Sequence, residues 1–404
     1  MIKICDICGG KYDYFIPFGN QPIVNDYNDR QKNKYKNTIA FCKKDKVFKN
    51  LHGIRNKKLF NENYPYYSSL SKNFAIYLKK LSKQIAKELK LNSNKKILEI
   101  GSSDGTFLEY YKKNNYVHYG LEPTKLPHKI AKKKGIKSLN IYFNKSACND
   151  FAKKGIYFDL IFSINTIAHI DKINKSFSLI SSILSYDGCF VFENISFDSV
   201  VNNLYFDQLY DEHVYTISPK TVYNLCKINN LHLIKIIKTS TQGGSYRYYI
   251  SKNKKVPFFL KSKYLSLNKL TKQISLTEIH KFHKKIKNIK ISYIELINSQ
   301  KKHNTKIYGF GASAKTVFLI NFLDLDRNTI SCIYDNSIKK INKNLPGTDI
   351  VVKNENSIKK IKNGIMFVFA WNHYKEILNK HFTKKNKIKW IKVNFKNVNI
   401  NKKI

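Results

Sequence analysis

Ile97-Leu98-Glu99-Ile100-Gly101-Ser102-Ser103-Asp104-Gly105 is the stretch that decides the fold. Four apolar-rich residues lead into a glycine-spaced turn, and TFLEYYKK after it carries a helical pattern. A strand that ends in glycines and opens a helix is the first unit of a doubly wound sheet. Gly101 and Gly105 let the backbone turn tightly and approach a ligand beyond the strand. Glu122 closes the next strand, VHYGLE, about twenty residues on, where a carboxylate can accept from both hydroxyls of a ribose. The turn lacks the G-x-G-x-x-G of a pyrophosphate site. Asp104 within it would repel a diphosphate but suits an amino group and a sulfonium. The expected ligand is therefore S-adenosylmethionine, held by Glu99, Gly101, Ser103, Asp104, Gly105 and Glu122, with Asn165 at the end of a later strand. A rival reading takes Gly101-x-Ser103-x-Gly105 as a hydrolase nucleophile elbow, but it leaves Glu122 without a role.

Outward from this turn the alternation continues. FDLIFSI (158–164) and CFVFENI (189–195) read as buried strands with the helical INKSFSLISSIL between them. LHLIKIIK and SYRYYIS read as an antiparallel pair closing the sheet edge. Upstream, Phe74, Ile76, Leu78, Leu81 and Ile85 recur at helical spacing. After a basic linker and one long helical stretch over 252–303, a second βα series begins: KIYGFGA, AKTVFLINFL, ISCIYD and GIMFVFA. The fold class is α/β, with a central Rossmann-like domain expected over 66–255. A small N-terminal module is expected over 1–65 and a second Rossmann-like domain over 256–404.

Composition bounds the function. A 404-residue chain with 42% hydrophobic residues can bury a large core. No apolar run is long enough to span a bilayer and no signal segment opens the chain, so a cytoplasmic protein without a membrane span is expected. Seven cysteines, an odd number, fit a reducing compartment. The net charge of +45 invites a nucleic-acid reading. The lysines are spread along the whole chain, as a coding bias would leave them, and no base-stacking platform accompanies them. No specific nucleic-acid partner is expected.

ILEIGSSDGTFLEYY and YGLEP resemble the adenosylmethionine motifs of the deoxysugar C-methyltransferase family. The likeness continues in order through YPYYSSLS, NTIAHI, FDQLYDEHVYTIS, QGGSYR, YGFGASAK, YDNS, NLPGT and AWN, covering nearly the whole chain. The resemblance implies an N-terminal zinc module, a methyltransferase domain and a C-terminal α/β domain that helps hold a nucleotide-activated keto-sugar. It implies methylation at the carbon next to a ring ketone, through an enolate. That chemistry needs a base and a donor to the enolate oxygen. The resemblance makes His213 the base, Glu212 its orienting or assisting partner, Tyr210 and Tyr66 the donors, and His169 a further active-site residue. Gln242 stands where relatives often have His, which leaves O-methylation of a sugar or other small metabolite as the alternative. An RNA-binding methyltransferase is a more distant one.

Ser245 and Arg247 are candidate substrate contacts, Arg247 toward a phosphate or else solvent. Ser313 and Lys315, after the Gly309-Phe310-Gly311 turn, are candidates for a diphosphate. The same turn, with Asp335 ending the next strand, offers a weaker reading as a nicotinamide dinucleotide site. Cys5-x-x-Cys8 is half of a zinc knuckle, and Cys42 and Asp45 lie where a second pair of ligands belongs, with His52 as a substitute. A small-molecule partner and a monomer or weak oligomer complete the expectation.

Overall fold

The computed structural model describes residues 3–28, 33–254, 274–302, 305–382 and 387–396. Three sheets organise the described residues. The largest has seven strands in the order β10-β11-β8-β7-β4-β5-β6. Here β4 is Lys96–Ile100, β5 Val117–Leu121, β6 Ser138–Leu139, β7 Phe158–Ile164, β8 Leu184–Ile195, β10 His232–Thr239 and β11 Ser245–Ser251. Its first five strands in chain order are parallel, and β11 runs antiparallel between β8 and β10. LHLIKIIK and SYRYYIS do form the expected antiparallel pair, but SYRYYIS lies inside and LHLIKIIK takes the edge.

The strand order explains where a ligand belongs. The chain adds β5 and β6 on one side of β4, then returns to add β7 and β8 on the other. Loops leaving β4 and β7 therefore diverge and open a crevice at the carboxyl ends of the strands. The turn after β4 needs its glycines for two different reasons. Gly101 has φ +71°, and a Cβ there would lie 2.3 Å from Thr166 Oγ1. Gly105 has φ +73°, and a Cβ there would meet Ile136 and Ala131, so this glycine serves close packing under the turn.

Helix Lys72–Glu88 covers one face of the sheet with Leu78, Leu81 and Ile85, while Ile76, on the same sequence period, is exposed. Phe107 stacks on Phe162 at 3.7 Å beneath the turn.

The C-terminal sheet is parallel, in the order β14-β13-β12-β15-β16. Its strands are β12 Ile307–Phe310, β13 Ile333–Asp335, β14 Val352–Asn354, β15 Asn363–Val368 and β16 Lys387–Lys392. Its chain order reverses at β12, so the Gly309–Gly311 turn stands at a second crevice. Helix Leu276–Lys302 precedes it, within the 252–303 stretch expected to hold a basic linker and a long helix, and residues 255–273 of that stretch lie outside the described residues.

The N-terminal sheet is antiparallel, with β1 Tyr14–Pro22, β2 Lys34–Cys42 and β3 Val47–Asn50. Its fourth strand is β9, Tyr215–Thr216, which comes from the middle of the chain and follows directly on Tyr210–His213. The largest apolar cluster joins this sheet to the C-terminal sheet. Phe18 lies 5.2 Å from Phe318 and 5.4 Å from Phe322, and Phe48 packs on Phe197 and Phe282. Ile16, Phe18, Ile39, Phe41 and Phe48 lie in a cluster shared with later segments of the chain, so the core of the first sixty residues is largely a shared one.

Among the described residues no helix is long and apolar enough to cross a membrane.

Candidate active site

A cavity of about 620 Å³ opens at the carboxyl ends of β4 and β7 and reaches the loops of the C-terminal sheet. One end is bounded by Gly101, Ser103, Glu122 and Asn165, four of the residues expected at the cofactor. Both Glu122 oxygens accept backbone hydrogen bonds, from Ser103 N–H at 2.8 Å and from Thr124 N–H at 2.8 Å. These fix the carboxylate at the strand end. Burial pushes its pKa up, and the Thr124 and Ser103 donors oppose that. Ser103 and Asn165 both adopt left-handed backbone, with φ +50°, which brings the loops after β4 and β7 round the opening.

Three of the expected cofactor residues do not reach the cavity lining. Asp104 is fully buried, accepts from the Thr106 hydroxyl and is ion-paired with Lys134 at 3.1 Å. Its charge is spent inside the turn, which corrects the expectation that it faces the ligand. Gly105 packs against Ile136. Glu99 sits in the middle of the sheet with Oε2 lacking a partner among the described residues. Burial raises its pKa well above the usual range, and the charges of Asp104 and Glu122 add to the shift.

The other end of the cavity holds Tyr66, His169, Tyr210, Glu212 and His213 together. His213 Nδ1 lies 2.6 Å from the Gln208 carbonyl, which can only accept, so Nδ1 carries the proton. Nε2 then presents its lone pair, at 3.1 Å from the Tyr210 hydroxyl that donates to it. Burial lowers the imidazole pKa to about 4, and Lys315 pushes in the same direction. His213 is therefore neutral, in one defined tautomer. The group that orients it is Gln208, not Glu212.

Glu212 is held elsewhere: Asn25 Nδ2 donates to Oε1 at 2.6 Å and the Tyr64 hydroxyl to Oε2 at 3.0 Å. Burial raises its pKa to about 7, against the pull of both donors and of Lys340. His169 stacks on Phe60 and lies 5.2 Å from the His213 ring, with its buried Nε2 lacking a partner among the described residues. Burial and His213 push its pKa well below the usual value. Burial raises the pKa of Tyr66 to about 12.

From the C-terminal sheet come Ser313, Lys315 and Lys340. Lys315 has its ammonium 4.8 Å over the Trp371 ring and 3.5 Å from Gln242 Oε1, and burial lowers its pKa. Trp371 is fixed by donating to Asp207 at 2.7 Å.

Ser245 and Arg247 are not part of the lining. Ser245 is buried and donates to the Thr241 carbonyl. Arg247 is buried in an ion pair with Glu193 at 3.0 Å and donates to the Tyr77 hydroxyl at 2.8 Å. It faces neither a phosphate nor solvent. Asp335 accepts from Ala312 N–H and Ser337 N–H, which commits it to shaping its own turn.

Away from the cavity, ligand atoms of Cys5, Cys8, Cys42 and Asp45 all lie within 4.8 Å of one another. Cys8 and Cys42 sulfurs are 3.7 Å apart. That matches the edge of about 3.8 Å that a tetrahedron with zinc–sulfur bonds of ~2.3 Å requires. Asp45 Oδ2 lies 3.2 Å from Cys5 Sγ and 3.3 Å from Cys42 Sγ, and Asn224 donates to Oδ1 at 2.8 Å. His52 instead accepts from Ile54 N–H with Nδ1 and is not in the cluster.

The sequence did not single out Asn25, Tyr64, Lys340 or the Gln208 carbonyl. Tyr64 stood in the quoted YPYYSSLS two residues before Tyr66, and nothing local ranked one tyrosine over the other.

With this geometry in place, comparisons define the class. Residues 72–236 match the methyltransferase domain model, and residues 240–393 match the C-methyltransferase C-terminal domain model. The chain is 20% identical over 388 residues to the C-methyltransferase NovU of Streptomyces niveus, covering 93% of this chain and 91% of that one. Two solved structures are also similar. Magnesium protoporphyrin IX methyltransferase (ChlM) from Synechocystis PCC 6803 is 10% identical at a TM-score of 0.34, covering 44% of this chain and 79% of that one. The PH0226 protein from Pyrococcus horikoshii OT3 is 15% identical at a TM-score of 0.38, covering 50% of this chain and 100% of that one. The chain is an S-adenosylmethionine-dependent methyltransferase. Within that class, its C-terminal part is similar to the C-methyltransferase C-terminal domain over residues 240–393.

Proposed function

We propose that the chain methylates the carbon alpha to the ring ketone of a nucleotide-activated keto-deoxysugar. The observation that carries the proposal is the meeting of a nucleoside-type end and a proton-handling cluster in one cavity. On this reading, residues 66–255 supply the methyltransferase part, with 1–65 and 256–404 closing over it.

S-adenosylmethionine fits the first end, where Gly101 brings the backbone of the turn to the cavity wall and Glu122 lines it, its carboxylate held in place by Ser103 and Thr124. When bound, it supplies an electrophilic methyl group. The remaining work falls to side chains. His213 Nε2 takes the proton from the carbon acid, and Gln208 stabilises the resulting imidazolium through Nδ1. Tyr210, on releasing Nε2, turns its hydroxyl to the enolate oxygen, and Tyr66 is placed to share that role. Lys315 and Lys340, with Ser313, attract the substrate's diphosphate, since a buried ammonium gains most from a bound anion.

A second reading makes Glu212 the proton acceptor. It is favoured by a pKa of about 7, against about 4 for His213. A base is most effective near the working pH.

Solvent deuterium exchange into the substrate, followed without methyl donor, tests the proposal. Exchange at the carbon beside the ketone supports C-methylation, and its loss in His213→Asn or in Glu212→Gln tells which group is the base. Methyl transfer to oxygen with no carbon exchange would refute the proposal.

The Cys5, Cys8, Cys42 and Asp45 cluster supports a structural zinc ion, with Asn224 orienting the carboxylate from outside. No step of the reaction runs through it.

A further inference from the structure

The loop Ile23–Asn28 follows β1 and belongs to no catalytic motif, yet it touches both halves of the active site. Val24 N–H donates to Asp211 Oδ2 at 3.3 Å, and Asn25 Nδ2 donates to Glu212 Oε1 at 2.6 Å. Two residues on, the Tyr27 hydroxyl donates to the Ala312 carbonyl at 2.7 Å, beside Lys340, which donates to the same oxygen at 2.8 Å. Asn28 accepts from Lys343. Six residues thus clamp the Asp211–Glu212 segment to the glycine turn of the C-terminal sheet.

We infer that Asn25 is a positioning residue for the Glu212 carboxylate, holding it ionised and aimed into the cavity. This rests on the proposed role of Glu212 in the reaction.

The chemistry of the donor is specific. An ionised carboxylate can only accept, and each Glu212 oxygen receives one donor, from Asn25 and from Tyr64. Asp at position 25 could not donate when ionised, and an aliphatic side chain could not donate at all. The need for donors follows from the neighbours. Asp211 is the adjacent residue, buried, with Oδ1 lacking a partner among the described residues. Two buried carboxylates side by side oppose each other's ionisation. Asp211 is accordingly pushed well above the carboxylate range by burial and by Glu212. The other groups facing Glu212 are Tyr64 and Tyr210, both raised by burial, and the ammonium of Lys340, which favours the anion. Asn25 supplies a neutral donor that favours the charged form of Glu212 against the neighbouring Asp211 carboxyl.

The test is an infrared pH titration of the full chain without substrate, with the Glu212 band assigned by its loss in Glu212→Gln. The wild-type midpoint should lie near 7. A hydrogen bond to a charged group is worth about one to two pH units, so Asn25→Leu should raise the midpoint by that amount. Asn25→Asp, close in shape, should raise it as well, and serves if the leucine variant does not fold. Asn25→Gln keeps the donor and should restore part of the shift. A midpoint unmoved in both Asn25→Leu and Asn25→Asp overturns the inference, whatever happens to activity. The acid limb of kcat should rise with the infrared midpoint. A moved midpoint with an unmoved limb supports the positioning role and removes Glu212 from the reaction instead.

Discussion

Replacing His213 with Asn should cost turnover and, in return, make the protein more tolerant of acid. Asn can reproduce both contacts of the neutral imidazole: its amide donates to the Gln208 carbonyl and its oxygen accepts from Tyr210. What it cannot do is take a proton. The unfolded chain protonates His213 near its ordinary 6.5, whereas the folded chain resists until about 4. Between those values the unfolded state binds more protons, so stability falls as pH falls through that window. Each unit is worth about 1.4 kcal/mol, so going from pH 7.5 to pH 5 costs the native state about 2 kcal/mol through this side chain. His169 contributes in the same direction in both proteins, and because its shift comes first from burial, which the variant keeps, most of that contribution cancels. The stability difference between variant and parent should therefore move by about 2 kcal/mol in the variant's favour on acidification. Thermal scans at the two pH values would read this as a shift of about 4–8 °C in the Tm difference, for a cooperative unit of roughly 200 residues. Turnover at pH 7.5 should fall about 10²–10⁴-fold if His213 is the base. A Tm difference that is the same at both pH values would refute the assignment of a buried, neutral imidazole. Undiminished turnover would refute its role as base.

Other perturbations probe separate parts of the structure. S-adenosylmethionine or its demethylated product should raise the Tm, and Glu122→Ala should abolish most of that rise; an unchanged ligand-induced shift in the variant would remove Glu122 from the site. Elemental analysis should find close to one zinc per chain, and Asp45→Cys should bind it more tightly in competition with a chelator; no zinc in protein grown with added metal would leave the cluster as packing only. Arg247→Met should cost about 3 kcal/mol, measured by denaturant unfolding, by leaving the buried Glu193 carboxylate without its cation and held only by the hydroxyls of Tyr77, Thr239 and Thr241. It should not change the salt dependence of substrate KM, as loss of a phosphate contact would. Lys315→Met, by contrast, should raise KM for an anionic substrate and flatten its salt dependence, and a KM unchanged at low salt would refute that contact.

The sequence by itself determined the α/β class, the crevice after β4 and the pairing of Gly101 with Glu122. Each rests on local order: apolar runs of strand length, glycines at a turn, and one carboxylate at the next strand end. It also brought Tyr210, Glu212 and His213 together, since they share one short segment. What only the tertiary structure decided is the set of partners around them. Asn25 and Tyr64 reach Glu212 across 187 and 148 residues, and β9, next to the Tyr210–His213 segment, completes a sheet begun near the start of the chain. Asp104 and Arg247 were misplaced for the same reason. A charged residue in a turn or strand has no local mark that separates facing a ligand from meeting Lys134 or Glu193 in the interior. Short-range periodicity encodes which face of an element is apolar. Which polar group meets which is settled only when distant segments are packed, because a buried charge takes whatever partner the fold brings within reach.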